Sequence, residues 1–471
     1  MGISPVMKIG GRLRALLAVL VLAGCQNDSV RPNPPEGSLI PITVAYLCGN
    51  DFALESRSPA TLTVHYQVVG TPEDGELTLP PGSTASGSLT RLTTLRPGEL
   101  LISLENRELP PVPNSGTSCS TPGDTDPRAR SGEWSEPFSW PIVAVHLHLL
   151  PTKQVLSWGR AGDPYLWDPE WGAFMPVPVA TMVFCSGHTF LGDGRLLVAG
   201  GHISDEHGLP DANLFDGSSQ SWTSLPEMHW GRWYPTSTTL ADGRVVTLGG
   251  KDQDGVPVDT PEVWTGDSWS RLTGASRSLP YYPRTFVAPN GLLFYAGELP
   301  ETAYLDPTGA GSWVPVATSN YGRRDYGTAV MYRPGKVLIA GGSDPPDGAP
   351  TPTAEIIDLN QPSPSWRYTE PMRYPRRQLN ATLLPDGQVV ATGGTSSPGF
   401  SDPAGSVHAA EMWDPANGVW TLLASNRINR VYHSTTLLLP DGRLLHTGSG
   451  DGPGLPRELN AELFSPPYLF R

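Results

Sequence analysis

The chain has 471 residues, a formal net charge of -14, and 52 Gly with 51 Pro, roughly 22% of the sequence against about 12% in an average protein. So dense a supply of turn formers excludes long helices, coiled coils and a helical membrane bundle, and points to an all-β chain of many short strands. The excess of 46 Asp and Glu over 32 Lys and Arg offers no footprint for nucleic acid, and 38% hydrophobic residues suffice for a buried core.

Residues 1–24 read as a lipoprotein signal peptide: Lys8, Arg12 and Arg14 precede the apolar run Ala15 to Leu22, which is too short to span a bilayer. Leu22-Ala23-Gly24-Cys25 resembles the bacterial lipoprotein box, making Cys25 the expected lipidation site and residues 25–37 a polar tether. Gln26 after the cysteine points to the outer membrane where the cell has one, so the expected place is the cell envelope, with a lipid anchor as the sole membrane contact. Export places the remaining cysteines in an oxidising compartment. Cys48 and Cys119 fall in residues 38–130, which read as a small β-sandwich-like domain with strands such as Thr61–Tyr66 and Leu100–Leu104. These two are expected to form a disulfide, a loop closure contributing about 4 kcal/mol in the chain-entropy model. Cys185 is left without a partner, and its plainest reading is a buried apolar cysteine.

Over residues 137–471 a unit recurs: an apolar strand, a turn of the Asp-Gly type, a second apolar strand, Gly-Gly, and an acidic-aromatic strand running to a Trp. The turn glycines are Gly194, Gly243, Gly291, Gly335, Gly387 and Gly442, spaced by 49, 48, 44, 52 and 55 residues. A period near 50 resembles kelch repeats. With a degenerate first copy at residues 145–159, the count reaches seven, and the expected fold is a seven-bladed kelch-type β-propeller with the Asp-Gly hairpins innermost and the Trp residues packed between blades.

Eight residues before the first turn residue of each blade, where an inner strand should enter the channel, stand Cys185, Tyr234, Tyr282, Tyr326, Gln378 and His433. Equivalent positions in a radial repeat converge on the axis, so a thiol, several phenols and an imidazole are expected to meet at one channel end. Tyr432 adjoins His433, and the two can share a target only if the strand bends or bulges there. Imidazole and phenolate suit Cu(II), and a cysteine beside a tyrosine can be coupled to it oxidatively as a thioether. The other reading is that the tyrosines fill the channel and His433 is simply hydrogen-bonded.

At these residues the sequence resembles the galactose oxidase and glyoxal oxidase family of copper radical oxidases. Phe184-Cys185-Ser186-Gly187 is similar to the family segment with the sulfur partner, and Arg232-Trp233-Tyr234-Pro235 to the one with the crosslinked tyrosine. Arg430-Val431-Tyr432-His433-Ser434 is similar to the segment with the axial tyrosine and a copper histidine, and Pro466-Pro467-Tyr468-Leu469 to the exit from the last blade. The resemblance implies one copper ion held by Tyr234, Tyr432 and His433, with a Cys185–Tyr234 thioether as radical cofactor. It implies oxidation of a small primary alcohol, aldehyde or carbohydrate, with O2 reduced to hydrogen peroxide. In the family a further β-domain brings a second copper histidine, which no residue of this chain matches; His146, His148 and His188 are remote substitutes with packing roles open to them. The tryptophan that stacks on the thioether in galactose oxidase aligns near Lys251-Asp252, so that shield is absent at the matching position. Arg324, Arg376 and Arg377 fall near the channel end, where they either contact substrate oxygens or lie on the surface. The alternative function is a non-catalytic, lipid-anchored propeller that binds glycan or protein.

Overall fold

A computed structural model describes Asp126–Arg471 apart from residue 453, and before that residues 8–9, 11–14, 42–48, 51–56, 61–68, 74–79, 84–88, 100–104 and 107–108. The chain divides into two compact units, Met1–Thr125 and Asp126–Arg471. In the first, Lys8–Ile9 and Gly11–Arg14 form a hairpin whose second strand pairs with Thr84–Ser88, and that sheet continues through Asp51–Ser56 to Ile42–Cys48. A second sheet is built from Asp74–Leu79, Leu62–Val68, Leu100–Leu104 and Arg107–Glu108. Cys48 ends a strand, whereas Cys25 and Cys119 lie outside the described residues. Among the described residues no helix is long and apolar enough to cross a membrane.

The second unit is the propeller. Each of blades 1 to 6 is a four-stranded antiparallel sheet in sequential order, with innermost strands His146–Leu149, Gly187–Phe190, Thr236–Thr239, Thr285–Val287, Thr328–Arg333 and Asn380–Leu383. Blade 7 takes three strands from one end of the unit, Ser434–Leu438, Leu444–Gly448 and Asn460–Ser465, and its outer strand from the other end, where Glu133–Trp134 and Phe138–Ser139 pair with Asn460–Ser465. The repeat period carries no sign of this closing strand, because it stands outside any repeat unit.

The Asp-Gly turns have a local cause. In five of the six, the Asp or Asn side chain accepts the backbone N–H two residues on, as Asp193 does from Arg195 and Asp441 from Arg443, while the following Gly takes φ near +85°, as at Gly194 (+87°) and Gly442 (+86°). The second strand of each blade is covered on both faces and therefore reads as an unbroken apolar run. Leu196 and Val198 face blade 1 while Leu197 and Ala199 face blade 3. One apolar cluster fills each of the seven interfaces, the last joining Leu147, Val155 and Trp167 to Leu445 and Ala461. Indole N–H groups stitch blades 2, 3, 4 and 7 to the blade before: Trp222 donates to the Val177 carbonyl, Trp269 to Pro226, Trp313 to Ala275 and Trp134 to Ala424.

Buried ion pairs fix the ends of the inner strands. Arg232, Arg324, Arg376 and Arg430 are almost wholly buried and pair with Glu262, Glu355, Glu411 and Glu462 of the third strand of their own blade. Each guanidinium also donates to the carbonyl of the glycine that ends the second strand: Gly249, Gly341, Gly393 and Gly448. Each carboxylate in turn accepts backbone N–H groups of the incoming loop, as Glu355 does from Asn320 and Tyr321. Arg324 and Arg376 are thus structural, and Arg377 is buried against Asp325, Asp347 and the Gly399 carbonyl. The expectation that these three meet substrate or lie on the surface is corrected, because all three are buried and their terminal guanidinium nitrogens are engaged inside the protein. Removing one partner of such a pair strands a buried charge, so Glu411→Ala is expected to lower unfolding free energy by about 3–5 kcal/mol in denaturant titration, far more than removal of the exposed Asp193.

Candidate metal centre

All six residues identified by counting back from the turns have left-handed backbones: Cys185 (φ +64°), Tyr234 (+66°), Tyr282 (+48°), Tyr326 (+52°), Gln378 (+59°) and His433 (+66°). They stand just before the inner strands rather than on them. This conformation turns carbonyls toward the neighbouring blade: Tyr234 N–H donates to the Cys185 carbonyl, Tyr282 N–H to Tyr234, and Gln378 N–H to Tyr326, at 2.8–2.9 Å. Because blades with and without candidate chemistry share it, the strained backbone belongs to the architecture, and the site exploits it.

The side-chain consequence is specific. In an extended strand neighbours point to opposite faces, but a left-handed residue breaks the alternation and lets two consecutive rings lie on one side. Tyr432 and His433 stack with centroids 3.8 Å apart at 28°. The anticipated bulge is visible as one extra residue: Arg to its glycine carbonyl spans 17 residues in blades 3, 5 and 6 and 18 in blade 7. Trp233 and Tyr234 stack more closely, 3.7 Å apart at 7°. Sequence reasoning looked for the aromatic shield near Lys251 and missed it one residue before the tyrosine it covers. Lys251 instead pairs its backbone with Trp233, and its ammonium reaches Glu206.

Tyr234 is enclosed on its other face by Tyr282, whose centroid is 4.6 Å away at 25°. Its hydroxyl lies 2.7 Å from that of Tyr432. Phe184, Cys185, Trp233 and Tyr234 form one buried cluster, and the Trp233 N–H donates to His202 Nδ1 at 3.1 Å. Burial pushes both the Cys185 thiol and the Tyr234 phenol far above their ordinary values, and Tyr432 to about 12. All three are therefore neutral at pH 7. A cavity of about 250 Å³ opens here, and its wall includes Tyr234, Tyr282, Arg284, Tyr326, Tyr432 and His433.

His433 carries the ligand chemistry. Its Nδ1 lies 2.8 Å from the Gly450 carbonyl, an arrangement in which Nδ1–H donates and Nε2 keeps its lone pair. That Nε2 is buried without a partner, and burial lowers the histidine pKa to about 4, so the lone pair is free at neutral pH. One bare imidazole nitrogen beside two touching phenols fits a Cu(II) ion in an N,O field. His146, His148 and His188 gather in a buried cluster against Trp158, with His146 Nδ1 3.0 Å from His188 Nε2 and the His146 ring edge-on to Tyr282 of the cavity, centroids 6.2 Å apart. Burial lowers the pKa of all three, to about 4 for His188.

Histidines buried neutral stabilise the fold fully above the unfolded value of 6.5, and that stability drains as pH falls below it. For His188 the loss reaches about 3 kcal/mol once pH is below its folded value of about 4. Denaturant midpoints should accordingly hold above about pH 7 and fall between about pH 6.5 and pH 4, with a smaller fall in His188→Leu.

No protein-family model matches the chain. It is 31% identical over 390 residues to a galactose oxidase of Gibberella zeae, covering 74% of this chain and 56% of that protein. It is 27% identical over 377 residues to the aldehyde oxidase GLOX of Vitis pseudoreticulata, covering 69% of this chain and 68% of that one. Its fold matches the solved structure of a fungal alcohol oxidase of the AA5 family in complex with copper, with a TM-score of 0.66 and 25% identity over 73% of this chain and 78% of that one. The chain spans just over half the length of the galactose oxidase it matches. By sequence, by propeller and by fold neighbour, this chain is similar to galactose oxidase, to the aldehyde oxidase GLOX and to a copper-containing fungal alcohol oxidase.

Proposed function

We propose that the chain is a copper radical oxidase converting a small primary alcohol or aldehyde, with O2 as the electron acceptor and hydrogen peroxide as co-product. The observation that carries this reading is the 2.7 Å contact between the Tyr234 and Tyr432 hydroxyls beside the unpartnered Nε2 of His433. Tyr234, Tyr432 and His433 would hold the copper, which when bound supplies a one-electron acceptor next to an oxidisable phenol. With copper bound, Tyr432 would be held as the phenolate, and from the cavity wall that oxygen would be placed to receive the substrate hydroxyl proton. Once oxidised by one electron to the phenoxyl radical, Tyr234 takes the hydrogen atom from the substrate carbon and returns to the phenol, its ring held between Trp233 and Tyr282. Oxidising an alcohol to an aldehyde releases two electrons and two protons, which are those required to turn O2 into H2O2.

Cys185 is read as the sulfur partner of Tyr234. Joining them forms one S–C bond, breaks the S–H and one ring C–H bond, and passes two hydrogens to O2. Peptide mapping after aerobic incubation with copper should find the two peptides joined and two hydrogens lighter in the native chain, and separate in Tyr234→Phe. His433→Ala should weaken copper binding by more than about 100-fold and abolish peroxide release. A free Cys185 thiol after full copper loading would defeat the oxidase reading and leave a binding propeller. We further propose that residues 1–24 direct export and that Cys25 carries the lipid; supporting this are the basic and apolar runs before Leu-Ala-Gly-Cys. Cys25→Ser should move the protein from the detergent phase to the aqueous phase on partitioning.

A further inference from the structure

A chain of aromatic rings leads from Tyr234 away from the cavity. Tyr281 stands edge-on to both Trp233 and Tyr234, with centroids 5.1 and 5.4 Å away and interplanar angles of 87° and 88°. It lies at the surface end of the buried cluster and is partly exposed. Its hydroxyl donates to Glu206 Oε1 at 3.3 Å, while Lys251 Nζ contacts the other oxygen, Oε2, at 3.1 Å. Glu206 comes from the tip of the blade 2 hairpin His202–Ser204 and His207–Gly208, and its side chain is 56% exposed. The hairpin is seated closely: a Cβ on Gly208 would stand 2.2 Å from both the Arg232 carbonyl carbon and the Trp233 nitrogen, so only glycine fits.

We propose that Trp233 and Tyr281 form a one-electron conduit from Tyr234 to the protein surface, with Glu206 as proton acceptor and a small outer-sphere oxidant, such as a metal complex, as the partner. This rests on the reading of Tyr234 as the oxidisable group. Substrate turnover moves electrons in pairs, so a protein whose Tyr234 is still an intact phenol needs a separate way to lose a single electron. The oxidant takes one electron from Tyr281, whose hydroxyl proton passes to Glu206. An electron from Tyr234, relayed through Trp233, then refills Tyr281 as Glu206 returns the proton. In sum, Tyr234 loses one electron, with its hydroxyl proton leaving toward Tyr432 and the cavity where copper binding has not already displaced it, and the oxidant is reduced by one electron. Oxidation of a phenol to a neutral phenoxyl releases its hydroxyl proton, so the contact with Glu206 supplies the acceptor that Tyr281 requires. The Lys251 ammonium over its ring at 5.9 Å would oppose a positive charge there, and its pairing with Glu206 offsets that.

The test mixes copper-loaded, crosslinked protein with hexacyanoferrate(III) in a stopped-flow cell and follows the phenoxyl absorption, with freeze-quenched electron paramagnetic resonance as a second readout. Tyr281→Phe should slow radical formation about tenfold or more without lowering the final yield, and Glu206→Gln should slow it likewise, with recovery in Glu206→Asp. Once the radical is formed, kcat/KM for peroxide release should equal that of the native protein in Tyr281→Phe, and Tyr374→Phe, a surface tyrosine elsewhere, should change nothing. A Tyr281→Phe rate within about twofold of native, with a normal radical in both, overturns the conduit and leaves the oxidase reading standing. A slow Tyr281→Phe with a normal Glu206→Gln overturns the role of Glu206. A native protein that forms no radical with excess oxidant fails the oxidase reading, and the conduit falls with it.

Discussion

Everything the site does depends on guanidinium groups that never meet a ligand. Arg232 and Arg430 stand two residues before Tyr234 and Tyr432, and each is locked to a buried carboxylate and to the glycine carbonyl ending the second strand. The incoming segment is therefore clamped to the second and third strands of its own blade before it reaches the axis. Taking these charges out of water is costly, and the cost is offset where the terminal guanidinium nitrogens meet the carboxylate and the glycine carbonyl of the same blade. The pairs in blades 5 and 6 hold the wall of the same cavity through Tyr326 and Gln378. Two phenol oxygens from blades 3 and 7 meet at hydrogen-bond distance because rigid clamps set both backbones independently.

Much of this was legible in the sequence because a radial repeat turns one-dimensional spacing into convergence. Counting eight residues back from each turn found the ring of Cys185, Tyr234, Tyr282, Tyr326, Gln378 and His433, since every blade enters the channel by the same path. What could not be read was the backbone conformation at the ring. A period of two places Trp233 opposite Tyr234, whereas the left-handed residue brings the indole onto the phenol. The shield was therefore sought on a different loop. Arg324 and Arg376 were misread for a related reason: an arginine near a channel looks like a substrate contact unless its glutamate, some 30 residues later, is recognised as its partner.

The surroundings of Tyr234 explain how a reactive phenol can be kept in a small cavity. Rings cover both faces, a third meets the edge, and the thiol beside it is fully buried. Water is excluded from the ring while the hydroxyl remains directed at Tyr432 and the cavity. The histidine cluster around Trp158 adds neutral imidazoles to the same low-dielectric region, where the Arg284 guanidinium on the cavity wall is the charged group.

The seventh blade has a consequence for how the molecule is made. Glu133–Trp134 pairs with Asn460–Ser465, and Leu463 N–H donates to Ser135 Oγ across 328 positions of chain. During synthesis the first strand of the unit emerges long before its mate, so the ring stays open at both ends until residues 460–465 appear. An open ring exposes two sheet edges and the apolar faces of the first and last blades, which are the surfaces that aggregate. Closure joins contacts of high sequence separation in a single late event, which makes folding slow and cooperative. A chain interrupted anywhere before that event is left with an unsealed seam.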